Sequence, residues 1–342
     1  MPPLSYNNLL TEKTGQLYPD ILQIDCLSEI NRICNFIQSS LVSTLKRRGI
    51  IIALSGGIDS SVTAALCVKA IGHERVKGLF MPEQHTSDET YGLAKLAASS
   101  LGIEFIDHDI SGILSATGCY ERQNEAIRQM IPQYQPHYPF KIALPTSSDN
   151  IKYQIFSLIV KDDNGNIYNK RMTSESYLSL VAATNFKQRT RKMLEYYYAD
   201  KYNFAVAGSP NRLEYDQGFF VKSGDGAADI KPIAHLYKTQ VYALAASLGI
   251  PEEIRKRTPT TDTYPLEQTQ EEFYFSLPYQ KMDLCLFARN NNMRAESVCE
   301  ATGLTPSQAK KVFADIDTKR KTTRYQHLGA LMLERIRSID LL

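Results

Sequence analysis

The apolar positions fall into alternating rhythms. Ile24, Leu27, Ile30, Ile33, Ile37 and Leu41 recur at three- and four-residue steps, which predicts a helix over 24–48. A continuous apolar run at 50–54 predicts a buried strand, and the alanine-rich stretch at 62–71 a helix behind it. A second strand is expected over 76–80. Thr86-Ser87-Asp88-Glu89 places Glu three residues after Thr, a capping-box pattern, ahead of a helix over 90–101 that Gly102 ends. Residues 103–110 read as a third strand. Strands alternating with helices at this spacing imply a doubly wound α/β fold, a parallel sheet flanked by helices. Ligands of such sheets bind beyond the carboxyl ends of the strands. The turn at Ser55, the pair Met81-Pro82 and Asp109 all fall there.

Residues 111–180 break the rhythm. They carry Pro132, Pro136, Pro139 and Pro145, and the turn Asp162-Asp163-Asn164-Gly165-Asn166 between apolar runs at 155–160 and 167–172, which reads as a hairpin. The segment is expected to be an insertion rather than a domain of its own, because its apolar content is thin. A helix over 186–203, a short strand over 204–207, a polar loop over 208–234 and a helix over 237–248 follow. Gly249 and Pro251 stop that last helix. The expected organisation is an arm at 1–24, an α/β unit at 25–270 holding the insertion, and a helical tail at 271–342 packed on the same unit.

Composition narrows the class. The 342 residues are 43% hydrophobic and 22% charged with a net charge of +2, as in ordinary globular proteins. So small an excess charge leans against a dedicated nucleic-acid binder. Six cysteines stand apart, with no C-x-x-C and no zinc spacing, and suit thiols of a reducing cytoplasm. No apolar run approaches the roughly 20 residues that span a bilayer. The first residues lack a basic region followed by an apolar core, so no secretory leader is expected.

The strongest chemical signal is Ser55-Gly56-Gly57-Ile58-Asp59-Ser60-Ser61, with a strand before it and a helix after it. Such a turn offers backbone N–H groups and hydroxyls at the positive end of a helix, a ready phosphate site. It is not the Walker pattern, because no Gly-Lys-Ser/Thr follows. It resembles the pyrophosphatase loop of the adenine nucleotide alpha hydrolase-like enzymes, which cleave ATP between its α- and β-phosphates. Read without that resemblance, Asp59 is a helix cap and Glu214 a carboxylate in a surface loop. Lys238 is then a solvated helix lysine, and the basic run Lys187, Arg189, Arg191, Lys192 a solvated helix face.

Further motifs follow in register. The chain reads Thr-Asn-Phe-Lys-Gln-Arg-Thr-Arg-Lys-Met from Thr184, then Gly208-Ser209-Pro210-Asn211-Arg212-Leu213-Glu214 and Gly218-Phe219-Phe220-Val221-Lys222. Gly224-Asp225-Gly226-Ala227-Ala228-Asp229-Ile230, Leu236-Tyr237-Lys238-Thr239-Gln240-Val241 and Pro259-Thr260-Thr261-Asp262 complete the set. Together these resemble the NAD synthetases over about 25–110 and 184–325.

The resemblance implies a two-step amidation. The carboxylate of nicotinic acid adenine dinucleotide takes AMP from ATP, releasing pyrophosphate, and ammonia then displaces AMP. It assigns ATP contacts to Ser55, Gly56, Gly57, Asp59, Ser60, Ser61, Met81, Ser209, Lys238 and Thr260. Lys238 and Asp59 are the implied catalytic pair, with Asp59 and Glu214 holding Mg²⁺. Arg189, Lys222, Asp229 and Lys319 are implied to grip the acid substrate. A homodimer is implied as well. The stretch ahead of the loop is too short for an amide-hydrolysing domain, so ammonia is expected from solution or from a separate glutaminase. Three departures stand out: Ser209 where the family has Thr, Thr318 where it often has His, and the insertion. The insertion leaves open a different carboxylate amidated by the same chemistry.

Other readings remain at this level. Residues 295–313, with Gly303 in a turn and Lys310 and Lys311 beyond it, look like helix-turn-helix, so a ligand-sensing DNA-binding regulator is conceivable. Two packed helices explain the same pattern. A tRNA-thiolating enzyme or a GMP synthetase shares the loop. The first lacks its reactive cysteine pair here, and Lys222, Asp229 and Lys238 argue against the second.

Overall fold

The computed structural model describes residues 17–143, 156–260 and 264–334. The first helix, α1 (Cys26–Ser39), starts where Asp25 accepts the N–H groups of Leu27 and Ser28. It runs into a wide π turn, Ser40–Leu45, and stops at Lys46 in a left-handed conformation, so the expected helix is shorter and irregular at its end. Then come β1 (Ile50–Ala53), α2 (Ile58–Ile71), β2 (Val76–Phe80), α3 (Asp88–Leu101) and β3 (Glu104–Asp107). The cap of α3 is Ser87, accepting from Thr90, and the expected Thr86–Glu89 box does not form. Thr86 instead accepts the N–H of Glu83.

The 111–180 region holds more structure than its prolines suggest. It contains α4 (Ser111–Ala116), α5 (Cys119–Met130) and the strands β4 (Phe140–Ala143), β5 (Ser157–Lys161) and β6 (Ile167–Arg171). The expected hairpin is β5–β6; its first residue, Ile155, lies outside the described residues. An additional strand, β4, joins it in an antiparallel sheet. Phe140, Ile142, Leu158 and Val160 bury one face of that sheet against Ile127, Ile131 and Tyr134. The next helix, α6 (Ser174–Tyr202), begins twelve residues before the expected 186, capped by Thr173. The sheet region is therefore anchored on both sides by helices.

After β7 (Ala205–Ala207) the polar loop contains a helix, α7 (Arg212–Gln217). Then follow α8 (Lys238–Ser247), α9 (Glu252–Lys256), α10 (Tyr279–Asn290), α11 (Cys299–Thr302) and α12 (Pro306–His327). The main sheet is parallel with order β3–β2–β1–β7, Ile50 standing opposite Val76 on one side and Ala205 on the other. Side chains of β1 alternate between two cores. Ile50 and Ile52 pack with α1, α2, α3 and α8, and Ile51 with Leu114, Leu194 and Ala199 of the opposite layer. Burial on both faces explains why the strand reads as an unbroken apolar run. Helices α10–α12 build a further core around Leu284, Leu286, Phe313 and Ile316, which also takes in Leu17 and Leu22 of the arm.

The tail closes on α7 at one tight point. Gly218 ends α7 with φ +72, and a β-carbon there would lie 2.2 Å from the Thr323 hydroxyl on α12. Gly218→Ala combines left-handed strain with overpacking and is expected to destabilise the protein by roughly 2 kcal/mol or more. Urea unfolding monitored by circular dichroism checks this, and an unchanged midpoint would contradict the tight fit.

Candidate active site

All the sequence-predicted loop residues lie at the carboxyl end of β1. Gly56 has φ +70, and a β-carbon there would come within 2.8 Å of the Thr90 carbonyl, so the turn needs glycine. The hydroxyls of Ser60 and Ser61 donate to the Gly57 carbonyl at 3.1 and 2.8 Å, and Ser60 Oγ accepts the Ser55 N–H at 3.3 Å. These bonds fix the loop. Gly57 is the N-cap of α2 and offers no side chain to close it, which leaves the helix start open to an anion. Ser55, Gly57, Asp59 and Ser60 border a cleft of about 1750 Å³. Gly56 and Ser61 are buried behind it.

Asp59 does not cap its own helix. It is the second residue of α2, and its carboxylate points across the cleft to Lys238, the first residue of α8. Lys238 is only 2% exposed, and its Nζ donates to Asp59 Oδ2. Burial works against the lysine charge, but the carboxylates of Asp59 and Glu214 outweigh it and hold the Lys238 pKa above its ordinary range. Lys238 is thus a fixed, dry cation rather than a solvated surface lysine.

Glu214 is not in a loop. It is the third residue of α7 and forms a capping box with Asn211. Its N–H donates to Asn211 Oδ1 at 3.1 Å, and its Oε2 accepts the Asn211 N–H at 3.2 Å. The Asn211 amide also donates to Asp59 Oδ1 at 3.1 Å, so one buried asparagine joins both carboxylates. Gln270 donates to Glu214 Oε1 at 3.0 Å. Sequence reasoning missed Asn211 and Gln270, although Asn-x-x-Glu is a readable cap signal. Burial and the neighbouring Asp59 charge raise the Glu214 pKa from 4.5 to about 7. Asp59 and Glu214 both border the cleft, and they are the carboxylates that could hold Mg²⁺, which takes one or two carboxylates and completes its shell with water and phosphate oxygens.

The other expected contacts are distributed around the same cleft. Met81, Ser209, Thr260, Arg189, Lys222 and Lys319 all line it. The Met81 carbonyl accepts Arg191 Nε at 3.2 Å. Thr260 pairs with Thr269 in a single antiparallel bridge, and Thr261 and Asp262 of its motif lie outside the described residues. Arg189 Nε reaches the Lys222 carbonyl at 3.3 Å, and Lys222 Nζ donates to the carbonyls of Tyr325 and Leu328 at the end of α12. Lys319 is buried, donating to the Tyr274 carbonyl at 2.6 Å and to Asp315 at 2.7 Å. Asp229 stands apart from the cleft lining. Its carboxylate accepts the Val206 N–H at 2.7 Å and the Tyr196 hydroxyl at 3.2 Å, stapling β7 to α6.

The basic run of α6 is not a solvated face. Lys187 pairs with Glu83 at 2.9 Å and Lys192 with Glu195 at 2.6 Å, all four buried; Arg189 alone of the run is exposed. The helix-turn-helix reading fails on geometry too. Its first helix is a single 3₁₀ turn, Ala295–Val298, followed by four-residue α11, and Lys310 pairs with Glu296. Nearby Arg320 turns inward onto Asp216.

A parallel sheet with an open helix start, a glycine–serine loop and a buried lysine paired with Asp59 at one end defines an ATP-binding ligase of the α/β class. The chain belongs to the NAD synthase family, whose sequence profile matches residues 29–132 and 146–325. It is 54% identical over 321 residues to an NH₃-dependent NAD⁺ synthetase of Rhizobium meliloti, covering 94% of this chain and 96% of that one. A Mesorhizobium japonicum protein of the same description is 49% identical over 91% of this chain and 98% of its own. Among solved structures, an NMN synthetase from Francisella tularensis superposes with a TM-score of 0.63 at 23% identity. It covers 92% of this chain and all of its own, and at that identity supports the fold.

Because the folded state holds the Glu214 proton to a higher pH than the unfolded chain does, this group's contribution to ligand-free stability is complete below about pH 4.5. It is lost as pH rises through about 7. Glu214→Gln is therefore expected to gain melting temperature relative to the parent protein between pH 5 and pH 8. A difference in melting temperature that stays constant across that range would contradict the assignment.

Proposed function

We propose that this cleft amidates nicotinic acid adenine dinucleotide with ammonia at the expense of ATP. The observation that carries the reading is the hydrogen-bonded constellation Lys238–Asp59–Asn211–Glu214 beside the glycine–serine loop. The near full-length identity to NH₃-dependent NAD⁺ synthetases supports it.

In the first half-reaction a carboxylate oxygen of the acid attacks the α-phosphorus of ATP. The bond to the β-phosphate bridging oxygen breaks, and pyrophosphate leaves with the electron pair. Negative charge accumulates on the departing phosphates, where the α2 N-terminus and Lys238 neutralise it without rearrangement. Asp59 and Glu214 would hold Mg²⁺, which when bound supplies further charge neutralisation on the phosphates. In the second half-reaction the ammonia nitrogen attacks the acyl carbon, loses a proton and expels AMP. Arg189, Lys222 and Lys319 are assigned to the acid substrate, and Ser55, Ser60, Met81, Ser209 and Thr260 to ATP. The acyl adenylate must be kept from water. Phe156, Tyr177, Tyr264 and Phe273 form an apolar wall on the cleft that suits this, and the first two come from the insertion and the helix that follows it.

We further assign the protein to the cytoplasm as a homodimer. Its ammonia comes from solution or from a separate glutaminase. No helix among the described residues is long and apolar enough to cross a membrane.

Purified protein given ATP, Mg²⁺ and ammonium is expected to release pyrophosphate only when the dinucleotide is present, with NAD formed in equal amount. Lys238→Ala is expected to slow that release by about 10²–10³ while keeping its circular dichroism spectrum. Release without the dinucleotide, or a fully active Lys238→Ala protein, would refute the proposal.

A further inference from the structure

Lys238 stands at an electrostatically awkward place. It is the first residue of α8, where the helix dipole presents its positive end and disfavours another cation. The N-cap is Tyr237, which carries no carboxylate or amide to receive the first-turn N–H groups. Gln240 serves the Tyr237 N–H at 3.0 Å. The Thr239 N–H goes to Asp283 Oδ2 at 2.7 Å, on α10 of the tail. Asp283 is 0% exposed and lies 44 residues away in sequence. The charged and titratable groups facing it are Lys238 and Tyr237 of α8 and Tyr279 of its own helix.

A carboxylate held in this way does two things at once. It completes the first turn of α8 as a cap supplied by another helix, and it offsets the positive charge of both the helix end and Lys238. Asp59 neutralises Lys238 from the cleft side only, and ATP phosphates entering there compete with Asp59 for the same ammonium. Asp283 lies outside the cleft lining, bonded to the Thr239 N–H.

We propose that Asp283 is a positioning residue for the adenylation step, holding the α8 N-terminus so that Lys238 stays aimed at the phosphates. The inference rests on the reading of the cleft given above. Two further contacts secure α10 to α8 without it: Tyr242 stacks on Tyr279 at 5.1 Å, and the Tyr237 hydroxyl accepts from Asn290 at 3.4 Å. Removing the Asp283 charge should therefore leave the helices docked.

Burial raises the Asp283 pKa to about 6, partly opposed by the N–H groups of Thr239 and Lys238. The isosteric Asp283→Asn keeps an acceptor for Thr239 and removes the charge. At saturating ATP and dinucleotide, kcat for pyrophosphate release is expected to fall about tenfold at pH 8. The KM for the dinucleotide, bound elsewhere in the cleft, is expected to move less than twofold. The ratio of parent to variant kcat should shrink toward one at pH 5, where Asp283 in the parent is itself protonated. A purely structural role predicts a ratio independent of pH, and that result, or an unchanged kcat at pH 8, overturns the inference. Should Asp283→Asn not fold, Asp283→Glu keeps the charge and is expected to retain both the fold and a kcat within threefold of the parent; a Glu variant that folds but has lost a hundredfold in kcat also overturns it. A parent protein that releases no pyrophosphate refutes the reading of the cleft instead, so the two failures are distinct.

Discussion

The contact between Lys238 and Asp59 organises the site. A buried lysine ammonium is tolerated only when it keeps a charged partner, because desolvation of the charge alone is expensive, and Asp59 at the half-buried edge of the cleft supplies that partner. Here the partners are drawn from four places. The pyrophosphate-type loop orients α2 and hence Asp59, Asn211 supports the other Asp59 oxygen, Glu214 adds a second negative charge, and the tail places Asp283 behind α8. Because Glu214 holds its proton to about pH 7, the charge around the lysine becomes more negative as pH rises through that value.

The main sheet was legible because burial on both faces writes β1 as an apolar run, because β2 is largely apolar, and because glycines end or turn the segments between strands; β3, Glu-Phe-Ile-Asp at the sheet edge, is less buried. The loop was legible for the same local reason. Reading Lys238 and Glu214 as site residues depended on motifs lying in register, since each taken alone looked like a surface group. What escaped the sequence was tertiary in origin. Lys187 is buried because Glu83, 104 residues earlier, meets it, and no local pattern signals that pairing. Lys192 had a visible partner in Glu195, three residues on, and could have been recognised. The helix inside the 208–234 loop is a turn and a half, too short to establish a period. Strand β4 is four residues long and follows Pro139, so its apolar alternation is brief.

The 111–180 segment is built onto one edge of the main sheet. It enters after β3, at the outer edge of the sheet, and returns through α6, which then crosses to β7 beside β1. Its own apolar face is satisfied by α5 and the start of α6. The partners of Asp59 come from other parts of the chain, while Phe156 and Tyr177 of this segment line the aromatic side of the cleft.

The paired residues of the site are far apart along the chain: Asp59 meets Lys238 across 179 positions and Asn211 across 152. Closing such long loops carries an entropy cost that is met only when the intervening elements have folded. A partly folded chain that lacks α7 or α8 lacks the Lys238 and Asn211 contacts to Asp59. Nucleotide affinity therefore belongs to the complete native state, and by mass action ATP at a hundred times its Kd adds about 2.7 kcal/mol to the stability of the whole fold. In a cell, the level of ATP would then help set how long each copy of the protein survives proteolysis.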